Sequence, residues 1–219
     1  MIEEVRDHWW WRPGWRQGRS FYTWHITFAD QPEIARLLAS YRPVIDRLPG
    51  ITPVPLQWLH LTMQGVGFTD RVDRRDVDVI VSAARARCAE LGSFTATIGP
   101  ARVDHETVLM PVRPVEPLQE LRNTIRTAIA DVWGPDAVPE YPGLRPHVSL
   151  GYWHQSGPAA PRRDVLASSS EHTAEVRVKA ISLIELNRDR RMYEWQEVAS
   201  VLLGAEGRRT APEGVYRTG

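Results

Sequence analysis

Trp58-Leu59-His60-Leu61-Thr62-Met63 and Arg145-Pro146-His147-Val148-Ser149-Leu150 are the stretches whose reading decides the fold. Each sets a histidine and a hydroxyl residue two apart in an otherwise apolar run. In a β-strand, positions i and i+2 share a face. His60 and Thr62 therefore point one way while Leu59, Leu61 and Met63 point the other, and His147 and Ser149 pair by the same rule. An imidazole exchanges protons near neutral pH, and a hydroxyl donates to a charged oxygen. Two such pairs facing one cleft suit phosphoester chemistry.

The bare spacing is common here, since five of the seven histidines have Ser or Thr two residues on. Context sorts them. Asp104-His105-Glu106-Thr107 is polar throughout, and His154-Gln155-Ser156-Gly157-Pro158 runs into turn residues. His25, in Tyr22-Thr23-Trp24-His25-Ile26-Thr27-Phe28, alternates as well as the two leading candidates and is a candidate cleft residue. The i+2 rule extends the motif faces to Gln64 and Trp153 as candidate ligand contacts. Tyr141 and Arg145, in the loop before the second motif, are further candidates for base or phosphate contact.

The 219 residues carry 27 basic and 27 acidic side chains, a net charge of zero. A protein that coats long nucleic acid carries a basic excess, so an RNA partner is expected to be a chain end, an oligonucleotide or a small cyclic nucleotide. Cys88 is the only cysteine, which leaves no intramolecular disulfide or cysteine-rich zinc site and fits a reducing cytoplasm. No apolar run approaches about 18 residues and the start lacks a secretory pattern, so neither secretion nor a membrane span is expected. A monomer is the expected state.

Five of the nine tryptophans fall in residues 8–24. Residues 1–20 are read as an aromatic arm that packs on the core, with a base-stacking wall as the sharper alternative. Residues 21–203 are read as a single bilobal unit and 204–219 as a flexible tail. Within the unit the periodicity predicts strands at 21–28, around His60, at 94–103 and 107–112, around His147, and at 174–187 and 192–203. Helices are predicted over 32–48, about 70–91 and 114–133, with a short one in 158–172. This order defines an α+β class in which each half offers one histidine strand.

With these motifs the chain resembles the 2H phosphoesterases, the family of RNA 2',3'-cyclic phosphodiesterases and 2',5' RNA ligase-like proteins. The likeness rests on His60-Leu61-Thr62 and His147-Val148-Ser149, on Trp58-Leu59 and Gly67-Phe68 around the first, and on Arg145-Pro146 and Leu150-Gly151 around the second. Ser149 replaces the commoner threonine and keeps its hydroxyl; Met63 stands where leucine is frequent. The resemblance implies a bilobal fold with two antiparallel-rich sheets around a central cleft, one motif strand per lobe. It further implies that His60 and His147 act as acid and base with no metal or cofactor, that Thr62 and Ser149 hold phosphate oxygens, and that a 2'-phosphate is the product. The tryptophan-rich start lies outside the family pattern.

Two other readings compete. His25, His60 and His147 could ligate zinc, but no recognised metal spacing such as H-E-x-x-H occurs. A module that grips an RNA end without turning it over is the competitor from outside enzymology.

Overall fold

The computed structural model describes residues 2–140 and 143–204. The chain opens with β1 (Glu4–Val5), β2 (Phe21–Thr27), α1 (Pro32–Ile45), β3 (Ile51–Pro53) and β4 (His60–Phe68). It continues through α2 (Arg74–Cys88), β5 (Phe94–Ile98), β6 (Arg102–Val103), β7 (Thr107–Arg113) and α3 (Val115–Trp133). The last third holds β8 (His147–Trp153), β9 (Gly157–Pro158), α4 (Ala159–Ala167), β10 (Ala174–Val178), β11 (Ala180–Asn187) and β12 (Glu194–Leu202).

The helices form where the apolar stripes predict them. In α2, Val77, Ile80, Val81, Ala84 and Cys88 are buried, and the Asp73 side chain caps the start by accepting from the Arg75 N–H. In α3, Leu118, Leu121, Ile125 and Ile129 form the buried face. Among the described residues, one antiparallel sheet runs β12-β11-β2-β4 and a second runs β10-β5-β7-β8-β3, with β6 beside β7. Helices α2 and α3 pack on the first sheet and α1 and α4 on the second, while β4 and β8 meet between them. The architecture is therefore α+β, with one motif strand in each sheet, β4 in the first and β8 in the second.

Three expectations need correction. The strand expected over 174–187 is two strands in different sheets, because the chain crosses between lobes at Lys179. Gly204, expected in the tail, bridges to Gly92 and donates its N–H to the Cys88 carbonyl; residues 205–219 lie outside the described residues. The third concerns register. Trp24 pairs with Gln64 and His25 with Thr62, which skips Met63. In the other lobe Val108 pairs with Gly151 and Leu109 with Ser149, which skips Leu150. An extra residue in one strand reverses its alternation from that point on. Each motif strand thus keeps its histidine and hydroxyl on the cleft face and turns over at the next residue.

The N-terminal segment is a strap across both lobes. β1 pairs with β9, the Arg6 N–H donates to the His105 carbonyl, and the His8 N–H donates to the Trp153 carbonyl. Further along, Trp15 packs on Phe21 and Phe68 of the first sheet. The Gly18 N–H reaches Asp189, and Arg19 pairs with Asp70. Buried Arg188 donates to the carbonyls of His8 and Trp10 and fixes the middle of the strap.

Candidate active site

Both motif histidines are held by the same local device. Nδ1 of His60 lies 2.8 Å from the Trp58 carbonyl, and Nδ1 of His147 lies 2.7 Å from the Arg145 carbonyl. A carbonyl only accepts, so Nδ1 carries the proton in each ring, and in the neutral ring Nε2 presents its lone pair. Among the described residues neither Nε2 makes a hydrogen bond to the protein. The two rings are close enough that a charge on His147 disfavours one on His60.

Their surroundings differ. His60 is buried, and desolvation, opposed in part by the Trp58 carbonyl and joined by the charges of His147 and His8, lowers its pKa to about 4. His25 stacks on it in parallel with ring centres 4.4 Å apart, and burial followed by the His60 charge pushes the His25 pKa well below the ordinary value. Nε2 of His25 lies 3.3 Å from Oγ1 of Thr62, whose side chain faces solvent. In the second motif the exposures are reversed: His147 is half-buried, while Ser149 is buried and shares a hydrogen bond with the Tyr152 hydroxyl.

The structure brings His25, His60, Thr62, His147 and Ser149 to the facing surfaces of the two sheets and takes two candidates away. Gln64, beyond the Met63 bulge, lies on the helix side of its sheet. Its amide donates to the carbonyls of Gly65 and Pro139 and accepts from Arg122 and Arg126 of α3. Trp153, beyond the Leu150 bulge, is fully buried, donates Nε1–H to the Asp104 carbonyl and packs against Arg162 of α4. Arg145 serves His147 through its carbonyl, while its exposed guanidinium pairs with Asp104. Tyr141 lies outside the described residues.

Four cleft residues escaped the sequence reading. Tyr152 takes the cleft position expected for Trp153. Tyr193 and Trp195, which alternate at the start of the β12 segment, set their rings edge-on to His60 at 5.9 and 5.3 Å. Their shared face was legible in the alternation, but its direction was not. His8 is buried and stacks on Tyr152 at 4.4 Å. Its Nε2 lies 2.9 Å from the Tyr193 hydroxyl and its Nδ1 3.1 Å from Glu106. Burial lowers the pKa of His8 despite that carboxylate. Burial also opposes charge on Glu106, but His8, Arg12 and Trp10 outweigh it and bring its pKa down to about 2. Among the described residues no three His, Cys, Asp or Glu side chains converge as a metal site. No described helix is long and apolar enough to cross a membrane. A cavity of about 910 Å³ between α2 and α3, lined by Glu90, Leu91, Glu116 and Glu120 among others, includes none of the motif residues.

Two antiparallel sheets, each presenting a pinned histidine with a hydroxyl two residues on, are the arrangement expected from the resemblance to the 2H phosphoesterases. The 2'-5' RNA ligase superfamily matches residues 28–190, and the chain belongs to that family. Among solved structures, TT0787 of Thermus thermophilus is similar over 85% of this chain and 99% of its own, at 15% identity and a TM-score of 0.65. E. coli LigT in its apo form is similar over 85% of this chain and 98% of its own, at 16% identity and a TM-score of 0.60. LigT has also been solved with 3'-AMP, and that form covers 84% of this chain and 98% of its own at 16% identity and a TM-score of 0.59. These likenesses concern the fold. No curated protein matches by sequence.

Proposed function

We propose that this chain is a metal-independent phosphodiesterase that opens RNA-type 2',3'-cyclic phosphates to 2'-phosphates, or cleaves 2',5'-phosphodiesters. The observation that carries this reading is the doubled device: two imidazoles with Nδ1 pinned by the carbonyl two residues before and Nε2 uncommitted, each followed by a hydroxyl two residues on. One neutral Nε2 takes a proton from the attacking water as its oxygen bonds to phosphorus. The opposite, protonated Nε2 gives its proton to the departing 3' oxygen as that P–O bond breaks. Thr62 and Ser149 donate to the nonbridging oxygens as charge builds there.

His60 is the acid in this scheme and His147 the base. A pKa of about 4 leaves His60 neutral in the empty cleft at neutral pH. It takes up its proton with the substrate, whose phosphate anion favours an imidazolium beside it. Ligation is the same step run backwards with a ribose hydroxyl, and the family description favours it as the second reading.

The test is hydrolysis of a 2',3'-cyclic phosphate dinucleotide in excess EDTA by wild type, His60→Ala and His147→Ala, with the phosphate position identified in the product. Turnover that survives EDTA, vanishes in both variants and leaves a 2'-phosphate is expected. Loss with EDTA would move the chemistry to a metal. Binding without turnover, on this substrate and on 2',5'-linked oligonucleotides, would make the chain a nucleotide-binding module.

A further inference from the structure

Among the described residues the large apolar side chains that stand exposed are Trp10, Trp11, Val79, Val115 and Leu202. The two rings are neighbours on the strap, 48% and 51% exposed, and a pair of solvent-facing indoles is costly unless something covers it. They are also held in place. Trp10 donates Nε1–H to Glu106 at 3.2 Å, and the Arg12 guanidinium lies 5.1 Å from its ring centre. Arg188 holds the Trp10 carbonyl, and its guanidinium is 6.0 Å from the Trp11 ring and 5.7 Å from the Tyr193 ring.

These anchors lead into the cleft. Glu106, which fixes Trp10, also contacts His8, and His8 touches Tyr193, whose ring faces His60. The matched family segment begins at residue 28, and the strap lies outside it.

We propose that Trp10 and Trp11 form a base-stacking platform for the single-stranded nucleotides that precede the phosphate held between His60 and His147. The inference rests on the phosphodiesterase reading and extends it: the enzyme prefers an oligonucleotide end to a lone nucleotide. An indole face accepts any base, so the platform selects for length and not for sequence. The exposed guanidiniums of Arg6 and Arg16, at either end of the aromatic run, pair with Glu106 and Asp70, and each can turn from its carboxylate to an intervening phosphate. Immobilised rings are suited to this, because little side-chain freedom is lost when a base stacks.

The experiment measures binding, so that it reads out with or without turnover. A pentaribonucleotide ending in a 3'-phosphate and the mononucleotide 3'-AMP are titrated against the wild type, Trp10→Ala, Trp11→Ala, Trp10→Phe and Trp11→Phe. The pentanucleotide is expected to bind the wild type at least about tenfold more tightly than the mononucleotide. Each alanine variant should lose about tenfold on the pentanucleotide and nothing on the mononucleotide, with the phenylalanine variants recovering most of the loss. Equal binding of the two ligands by the wild type, or alanine variants that match it, would overturn the platform while leaving the phosphodiesterase reading intact. Binding of neither ligand would remove both. Sedimentation of the wild type as a dimer that the alanine variants dissolve would assign the indoles to a second copy of the chain.

Discussion

The β4 and β8 halves of the cleft share a skeleton and differ in what they bury. Each pins Nδ1 on the carbonyl two residues before the histidine, and each skips one residue after the hydroxyl. In the first half the histidine is buried and the threonine exposed; in the second the histidine is half-buried and the serine buried. The hydroxyl partners differ in kind, the His25 imidazole for Thr62 and the Tyr152 phenol for Ser149. Burial makes His60 the ring that resists a proton in the empty cleft, so its role as the acid depends on the charge of the bound phosphate. The shared features fix orientation, and burial in the first half lowers the proton affinity of His60.

The largest expected effect tests whether the halves have different roles. His60→Ala and His147→Ala should each lower kcat on a cyclic phosphate by about 10³-fold, and the double variant should be little worse than either. A substrate with a p-nitrophenyl leaving group, which departs without a proton, should restore much of the activity of His60→Ala and none of that of His147→Ala. Rescue of the opposite variant would exchange the roles.

The hydroxyls come next. Thr62→Val should cost about 10²-fold in kcat, as expected for loss of one preorganised donor to a developing oxyanion. Ser149→Ala should cost about tenfold, because the buried Ser149 hydroxyl is already shared with Tyr152 and must exchange that partner for the phosphate. Equal losses would show that the difference in burial has no bearing on phosphate contact.

The pH dependence measures the asymmetry directly. With the His60 pKa near 4, the acid limb of kcat/KM should fall near pH 4, below the usual histidine range. The acid limb of kcat should lie higher, because the bound phosphate anion favours the charged ring. Coincident limbs would contradict proton uptake with substrate. Stability should move in the corresponding direction. Buried His8, His25 and His60 all have lowered pKa values, so below about pH 6.5 the unfolded chain binds protons that the folded chain refuses. Thermal denaturation between pH 7 and pH 4.5 should show Tm falling on acidification.

How much of this was legible depends on how far a period of two survives. It holds from His60 to Thr62 and from His147 to Ser149, so the two motifs and the α+β class can be read from alternation. It fails at Met63 and Leu150, and for that reason strand periodicity puts Gln64 and Trp153 on the wrong face. The change of sheet at Lys179 is hidden as well, because β10 buries Val176 and Val178 and β11 buries the run from Ile181 to Ile184, and two apolar strands in series read as one. His8 sits in irregular backbone, where no period exists to give a direction. Its burial depends on Tyr152, Tyr193 and Glu106, which are distant in sequence.

The smallest expected effect on catalysis is the sharpest test of those bulges. If Gln64 faced the ligand with His60 and Thr62, Gln64→Leu would raise KM. On the helix side its loss instead removes the acceptor shared by Arg122 and Arg126 and leaves the carbonyl of Pro139 without the amide donor. Hydrogen bonds to charged groups of this kind are worth about 1.5–3 kcal/mol. Gln64→Leu should therefore lower stability to urea by about that much while KM and kcat, measured well below the new midpoint, stay within about twofold. Tyr152→Phe supplies the complement on the other strand: it keeps the ring stacked beside His8, removes the hydroxyl that meets Ser149, and should change kcat with little loss of stability. If the two variants exchanged these behaviours, the alternation would run unbroken through Met63 and Leu150, and the cleft would be lined by the residues that simple strand periodicity selects.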